Sequence, residues 1–239
     1  MSGSIPDNIA IDIEAMVKMY EENLEEFGRL ADGMYSLFSS RKLRPLIHSI
    51  KVRVKDSTHL KDKLERKYLE ATAVNLAFDI SASNLYERIT DLVGLRILHL
   101  HTQQFGAIHK VILDLLADEL YEVVEGPSAR YWDNEYRAYF ESLGVNVEAN
   151  PRLYTSVHYV IKPSRLNSRR GEIQVRTLAE ELWGEVDHSL NYPHKVDDVA
   201  IREQLLVLAR VTSSCTRLVD AIFKCDTHNK RLEHERKTS

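Results

Sequence analysis

The chain has 239 residues, 44% of them hydrophobic and 28% charged, which is globular-domain composition with enough length to bury a core. Thirty-two basic residues against 36 acidic leave a net charge of −4, too balanced to point to nucleic acid or an anionic membrane. No apolar run reaches the ~20 residues of a membrane span, and no basic-then-apolar leader opens the chain. Cys215 and Cys225 belong to no CxxC or Cys/His cluster. Composition thus argues against membrane insertion, secretion, a disulfide scaffold and structural zinc, and for a reducing cytoplasm.

Residues 1–8 read as a loose leader. From Ile13 to Met34, apolar Ile13, Met16, Val17, Tyr20, Leu24, Phe27 and Leu30 recur at three- and four-residue steps, opposite Glu21, Glu22, Glu25 and Glu26. That pattern predicts one amphipathic helix, and Pro45 ends whatever helix follows it. Ile50, Val52 and Val54 then alternate with Lys51, Arg53 and Lys55, which predicts a strand with one apolar and one basic face. Residues 58–70 return to helix, crowded by Lys61, Lys63, Arg66 and Lys67.

A buried strand is expected over Ile89–His101, a helix over Phe105–Leu120 and a short strand over Tyr121–Glu125. The aromatic, turn-rich stretch from Glu125 to Pro151 admits no assignment. Two more strands follow, Leu153–Ile161 and Gly171–Arg176, then helices from Thr177 to about Leu190 and from Val196 into the 220s. In the first of these, Thr177 is the expected N-cap and Leu178, Leu182, Val186 and Leu190 the expected buried stripe. The charged tail is expected to fray. Strands in the middle and helices at both ends make the fold class α+β, a sheet with helices on it.

Polar side chains recur at two-residue spacing on these strands, which puts each set on one face. The sets are Lys51, Arg53 and Lys55; Tyr154, Ser156 and His158; and Glu172, Gln174 and Arg176, with Asp91 and Arg96 on the strand after Thr90. Any one set is what a solvated sheet face would show. The combination of cations, two acids, an aromatic and a histidine suits phosphate transfer instead. Asp91 and Glu172 are the candidates for Mg²⁺, which takes one or two carboxylates plus phosphates and water. Arg53, Lys55 and Arg176 suit a polyphosphate, Arg96 an adenine ring and Tyr154 a second base. Neither GxxxxGK[ST] nor GxGxxG is present, so a P-loop or dinucleotide fold is not expected. Glu181, Glu185 and His188 share a helix face at i, i+4 and i+7.

Arg53-Val54-Lys55, the run Ile89-Thr90-Asp91-Leu92-Val93-Gly94-Leu95-Arg96-Ile97, Tyr154-Thr155-Ser156-Val157-His158, Glu172-Ile173-Gln174-Val175-Arg176-Thr177 and the segment Trp183 to Tyr192 follow in that order. Together they resemble the synthetase domain of the RelA/SpoT family, over roughly residues 45–195. The resemblance implies a nucleotidyltransferase-like mixed sheet flanked by helices, with helical extensions at 1–44 and 196–239. It implies a cytoplasmic enzyme that moves the β,γ-pyrophosphoryl group of ATP onto the 3′-hydroxyl of GDP or GTP, making (p)ppGpp with Mg²⁺. Lacking a His-Asp dipeptide, the chain resembles the small alarmone synthetases, which form homo-oligomers. Carried over by position, Asp91 and Glu172 are the catalytic and metal-binding acids, and Arg53, Lys55 and Arg96 bind ATP. Tyr154, His158, Gln174, Arg176, Glu181 and His188 bind the acceptor nucleotide.

The chain departs from the family at the acceptor loop. Tyr154 follows Asn150-Pro151-Arg152-Leu153 rather than a P-K-x-N-G run, and Glu181 stands where relatives carry Asn or Asp. Glu181 is expected at the Watson–Crick edge of guanine, where a carboxylate accepts from both N1–H and the N2 amino group. The same chemistry on an adenine nucleotide or a tRNA 3′ end, and a silent nucleotide-binding module, are the alternatives.

Overall fold

The alternating residues build six strands, seen in a computed structural model that describes residues 5–164, 169–191 and 196–238. They are β1 (Ser49–Val54), β2 (Val93–His99), β3 (Tyr121–Tyr131), β4 (Asn146–Ala149), β5 (Ser156–Pro163) and β6 (Gly171–Thr177). One mixed sheet runs β1-β2-β6-β5-β3-β4, with β2/β6 and β3/β4 parallel and the other neighbours antiparallel. The helices are α1 (Asp7–Glu22), α2 (Leu24–Phe38), α3 (Ser57–Ala73), α4 (Leu85–Arg88), α5 (Phe105–Asp118), α6 (Asn134–Ser142), α7 (Leu178–Asn191) and α8 (Val199–Thr238). The α+β class and the mixed sheet flanked by helices are as expected.

Leu95, Ile97, Val157, Tyr159, Ile173 and Val175 leave one sheet face and join Tyr20, Phe27, Met34, Ile108 and Ile112 of α1, α2 and α5 in a single core. Each such side chain contributes about 1.5–3 kcal/mol on burial. With that face closed by helices, the polar residues between these positions share the opposite face.

Several boundaries differ from the sequence expectation, each for a local reason. The helix expected over Ile13–Met34 is two helices. Asn23 separates them, its side-chain amide donating to the Met19 carbonyl at 2.8 Å in competition with the helix ladder. Asp91 lies in a turn, because β2 begins only at Val93. Leu153 has φ of 61°, so β5 cannot start there and Tyr154 sits in the preceding loop.

The unassigned 125–151 stretch holds the rest of β3, then α6 and β4. Register shifts between Val123 and Ser128 break the alternation there, and Gly126 has φ of 86° with its Cα against the His158 carbonyl, where a side chain has no room. Asp133 caps α6, accepting from the Glu135 N–H at 2.8 Å.

The largest correction concerns α7. Thr177 does accept from the Glu180 N–H at 3.2 Å, as an N-cap should. The stripe of Leu178, Leu182, Val186 and Leu190 is not the buried one, however: Leu182 is 57% and Leu190 41% exposed, while Glu180, Glu181 and Trp183 are buried. Charges on the sheet select this face, as the site shows. α8 buries Leu205 and Ala209 beside Thr212, Ser213, Thr216 and Asp220, and residues 221–237 are exposed helix.

Candidate active site

Strand register assembles the site in two rows. Lys51 of β1 pairs with Arg96 of β2, Arg96 with Gln174 of β6, and Gln174 with His158 of β5. In the next row Arg53 pairs with Gly94, and Gly94 with Glu172. Residues spread over more than 100 positions thus meet because four strands present them at matched heights.

Two adjoining cavities open on this face. One, of about 280 Å³, is lined by Lys51, Arg53, Asp91, Gly94, Arg96 and Glu172. The other, of about 700 Å³, is lined by Arg130, Arg152, Tyr154, His158, Arg176 and Trp183. Arg96, Gln174 and His188 line both. Of the expected ATP residues Arg53 lines only the smaller cavity, and of the expected acceptor residues Tyr154, His158 and Arg176 line only the larger, while Lys55 and Glu181 line neither.

The two acids are held ionised by different means. Asp91 takes Lys63 at 2.7 Å and Lys55 at 3.1 Å. Burial works against its charge, but the two ammonium groups outweigh it and bring its pKa down to about 2. Lys55, 7% exposed, has its own pKa lowered by that burial, with Asp91 opposing. Glu172 accepts from His158 Nδ1 at 2.8 Å and Gln174 Nε2 at 2.8 Å. Burial again opposes, and these bonds lower its pKa below the usual range. Ser156 Oγ lies 2.6 Å from His158 Nε2, so the imidazole is oriented at both nitrogens.

Both carboxylates line the smaller cavity, and among the described residues no group of three or more His, Cys, Asp or Glu forms a closed cage. Two ionised carboxylates beside open space and cations fit Mg²⁺, whose remaining ligands are substrate phosphates and water.

Tyr154 stacks on Trp183 with ring centroids 4.7 Å apart and planes 22° apart, and both rings line the larger cavity. Trp183 is anchored in turn: its Nε1 donates to the Leu205 carbonyl of α8 at 3.0 Å. His188 has its pKa lowered, by burial first and then by Arg53 and Arg96.

Glu181 is neither solvated nor in the acceptor cavity. Its carboxylate takes Lys51 at 2.8 Å and Arg96 at 3.2 Å and forms an ion pair with Arg176. Burial would raise its pKa, yet Arg176, Lys51 and Arg96 hold it down at about 2. Three cations from three strands draw this face of α7 inward, which is why the helix buries Glu181 rather than Leu182. Arg96 also pairs with Glu185, so its guanidinium is tethered twice.

Lys63, Arg130 and Trp183 were not assigned from sequence. Lys63 was visible in the basic crowding of residues 58–70. Arg130 gives no local signal, since only the packing of β3 brings it to the cleft; Trp183 opens the last of the resembling motifs, but only the packing of α7 sets it against Tyr154. Tyr192, the last residue of the resembling motifs, lies outside the described residues.

The fold has known counterparts. Small alarmone synthetase 1 from Bacillus subtilis matches with TM-score 0.60 at 21% identity, covering 88% of this chain and 98% of its own. The same synthetase bound to its product pppGpp matches with TM-score 0.59 at 21% identity, covering 88% and 99%. A GTP pyrophosphokinase family protein from Streptococcus pneumoniae matches with TM-score 0.58 at 18% identity, covering 90% and 96%. No curated protein sequence matches the chain. The family model for the region found in RelA / SpoT proteins matches residues 52–197. That span holds every strand but the start of β1, both acids and every named residue of the two cavities except Lys51, and the chain belongs to the RelA/SpoT family.

Proposed function

We propose that the protein is a Mg²⁺-dependent nucleotide 3′-pyrophosphokinase that uses ATP as donor and GDP or GTP as acceptor. The observation that carries this reading is the pair of adjoining cavities with Asp91 and Glu172 at the smaller one and Tyr154 in the larger. Family membership and the likeness to small alarmone synthetases, one of them holding pppGpp, support (p)ppGpp-synthetase chemistry. Residues 45–195 form the catalytic unit in this reading.

The side chains have distinct tasks. Arg53 and Arg96 bind the donor, Arg96 against adenine, with Lys55 and Lys63 near the polyphosphate beside Asp91. Tyr154 stacks on the acceptor base, and Arg176 faces its cavity. Gln174 and His158 hold Glu172 unprotonated and aimed at the acceptor. The 3′-hydroxyl oxygen bonds to the β-phosphorus as the bond from that phosphorus to the α-phosphate oxygen breaks. AMP leaves with the electron pair, and the hydroxyl proton passes to Glu172. Asp91 and Glu172 would hold Mg²⁺, which neutralises phosphate charge when bound; positioning and charge carry most of such a reaction. Among the described residues no helix is long and apolar enough to cross a membrane.

The test is incubation with γ-labelled ATP, Mg²⁺ and, separately, GDP, GTP, ADP, AMP and bulk tRNA. Label is expected in the GDP and GTP products. Label only in an adenine nucleotide or in tRNA overturns the acceptor assignment, and label in none overturns the transfer.

A further inference from the structure

Glu181 lines neither cavity, yet it binds the cations that do. Its side chain is 7% exposed, as is that of Arg176, whereas Arg96 is 21% and Lys51 54% exposed. Arg96 faces both cavities, and Arg176 faces the acceptor side. The Arg176 guanidinium also lies close against the same helix at Gly184. A Cβ added to Gly184 would fall 2.5 Å from its Nη1, so the missing side chain one helical turn beyond Glu181 is what leaves it room. One acid and one glycine of α7 therefore define where a buried arginine of β6 can sit.

We propose that Glu181 is a positioning residue that holds Arg96 toward the ATP cavity and Arg176 toward the acceptor cavity, so that one buried carboxylate sets both nucleotide sites. The proposal rests on the pyrophosphokinase reading for the identity of the two ligands. Its physical basis is charge balance. Without the carboxylate, Arg96 and Arg176 repel one another, and a guanidinium left buried and unpaired turns toward water. Glu185 alone cannot replace it, because Glu185 pairs with Arg96 and not with Arg176. A contact with the acceptor base is not needed for the carboxylate to govern acceptor binding.

Equilibrium binding of a non-hydrolysable ATP analogue and of GDP to the full chain tests this apart from turnover, with the melting temperature recorded alongside. Glu181→Gln keeps the shape and removes the charge. It is expected to weaken both ligands by about tenfold or more and to lower the melting temperature, with the chain still folded at the temperature of the binding measurement. Combined with Arg96→Ala, it should weaken the ATP analogue no further than Arg96→Ala alone, since both remove one arrangement. Gly184→Ala improves helix propensity, yet should weaken GDP and leave the ATP analogue unchanged. Glu181→Gln binding both ligands as the unmodified protein does overturns the proposal. So does a variant that loses only its preference for GDP over ADP, which would put the carboxylate on the base. An unmodified chain that binds both ligands and transfers no label overturns the pyrophosphokinase reading instead, while the binding data still decide the role of Glu181.

Discussion

Single carboxylates in this protein differ widely because their neighbours do. Asp91, Glu172 and Glu181 keep their charge against burial, each through cations or donors at 2.7–3.2 Å. Glu172→Gln should retain the hydrogen bond from Gln174 but lose the charge. Turnover should fall by about 10²–10³-fold or more with the melting temperature little changed, as measured by label transfer and calorimetry. Near-normal turnover would remove Glu172 from the mechanism. Glu180 is the contrary case, 2% exposed, and its burial pushes the pKa up to about 8, with the Thr155 backbone and the Arg176 charge only partly offsetting this. An acid whose folded-state pKa lies above its ordinary value of 4.5 stabilises the fold fully below that value. That contribution fades as pH rises through about 8. Glu180→Gln should therefore gain stability relative to the unmodified protein on going from pH 5 to above pH 8. Parallel melting curves over that interval would show that Glu180 is not buried neutral.

At the scale of elements, α7 is the piece that sequence periodicity misreads most. Its apolar stripe of Leu182 and Leu190 faces outward, and its inward face carries Glu180, Glu181 and Trp183. A helix normally buries its apolar stripe. Here Lys51, Arg96 and Arg176 converge on Glu181 at the helix–sheet contact, and Glu185 adds a second carboxylate on Arg96. Trp183 supplies the apolar area on that face and backs Tyr154, while its Nε1 reaches the Leu205 carbonyl of α8. Stacking on a base is worth about 1–3 kcal/mol, and it requires the tyrosine ring to be held still. Trp183→Leu is expected to raise KM for the acceptor by about tenfold with KM for ATP little affected. Steady-state kinetics with each substrate varied would check it, and equal changes in both constants would show a general loss of structure.

At the scale of the molecule, α8 is a 40-residue helix that covers only part of itself. Val207, Val211, Leu218 and Ile222 are 55–63% exposed although the helix pairs with α7 along its first half. We propose that a second copy of the chain covers these residues. Light scattering at micromolar concentration should give at least a dimer mass, and Val211→Glu with Leu218→Glu should shift it toward the monomer. A monomer mass for the unmodified protein would leave the stripe without this role.

The order and type of most elements follow from periodicity and turn residues, as does the alternation that puts Lys51, Arg53, His158, Glu172 and Gln174 on one face. Alternation is a local rule, enforced by backbone geometry wherever a strand forms. The motif runs likewise carried the family, because catalytic residue types at fixed spacing are a property of the chain itself. Elements whose local signal was broken were not legible: β3 is interrupted by its bulge at Gly126, and α6 and β4 are too short to show a period. The buried face of α7 and the whereabouts of Glu181 belong to tertiary structure alone. Periodicity ranks residues by hydrophobicity, whereas a carboxylate goes where its counter-charges are, and those lie up to 130 residues away on strands whose register no local pattern specifies.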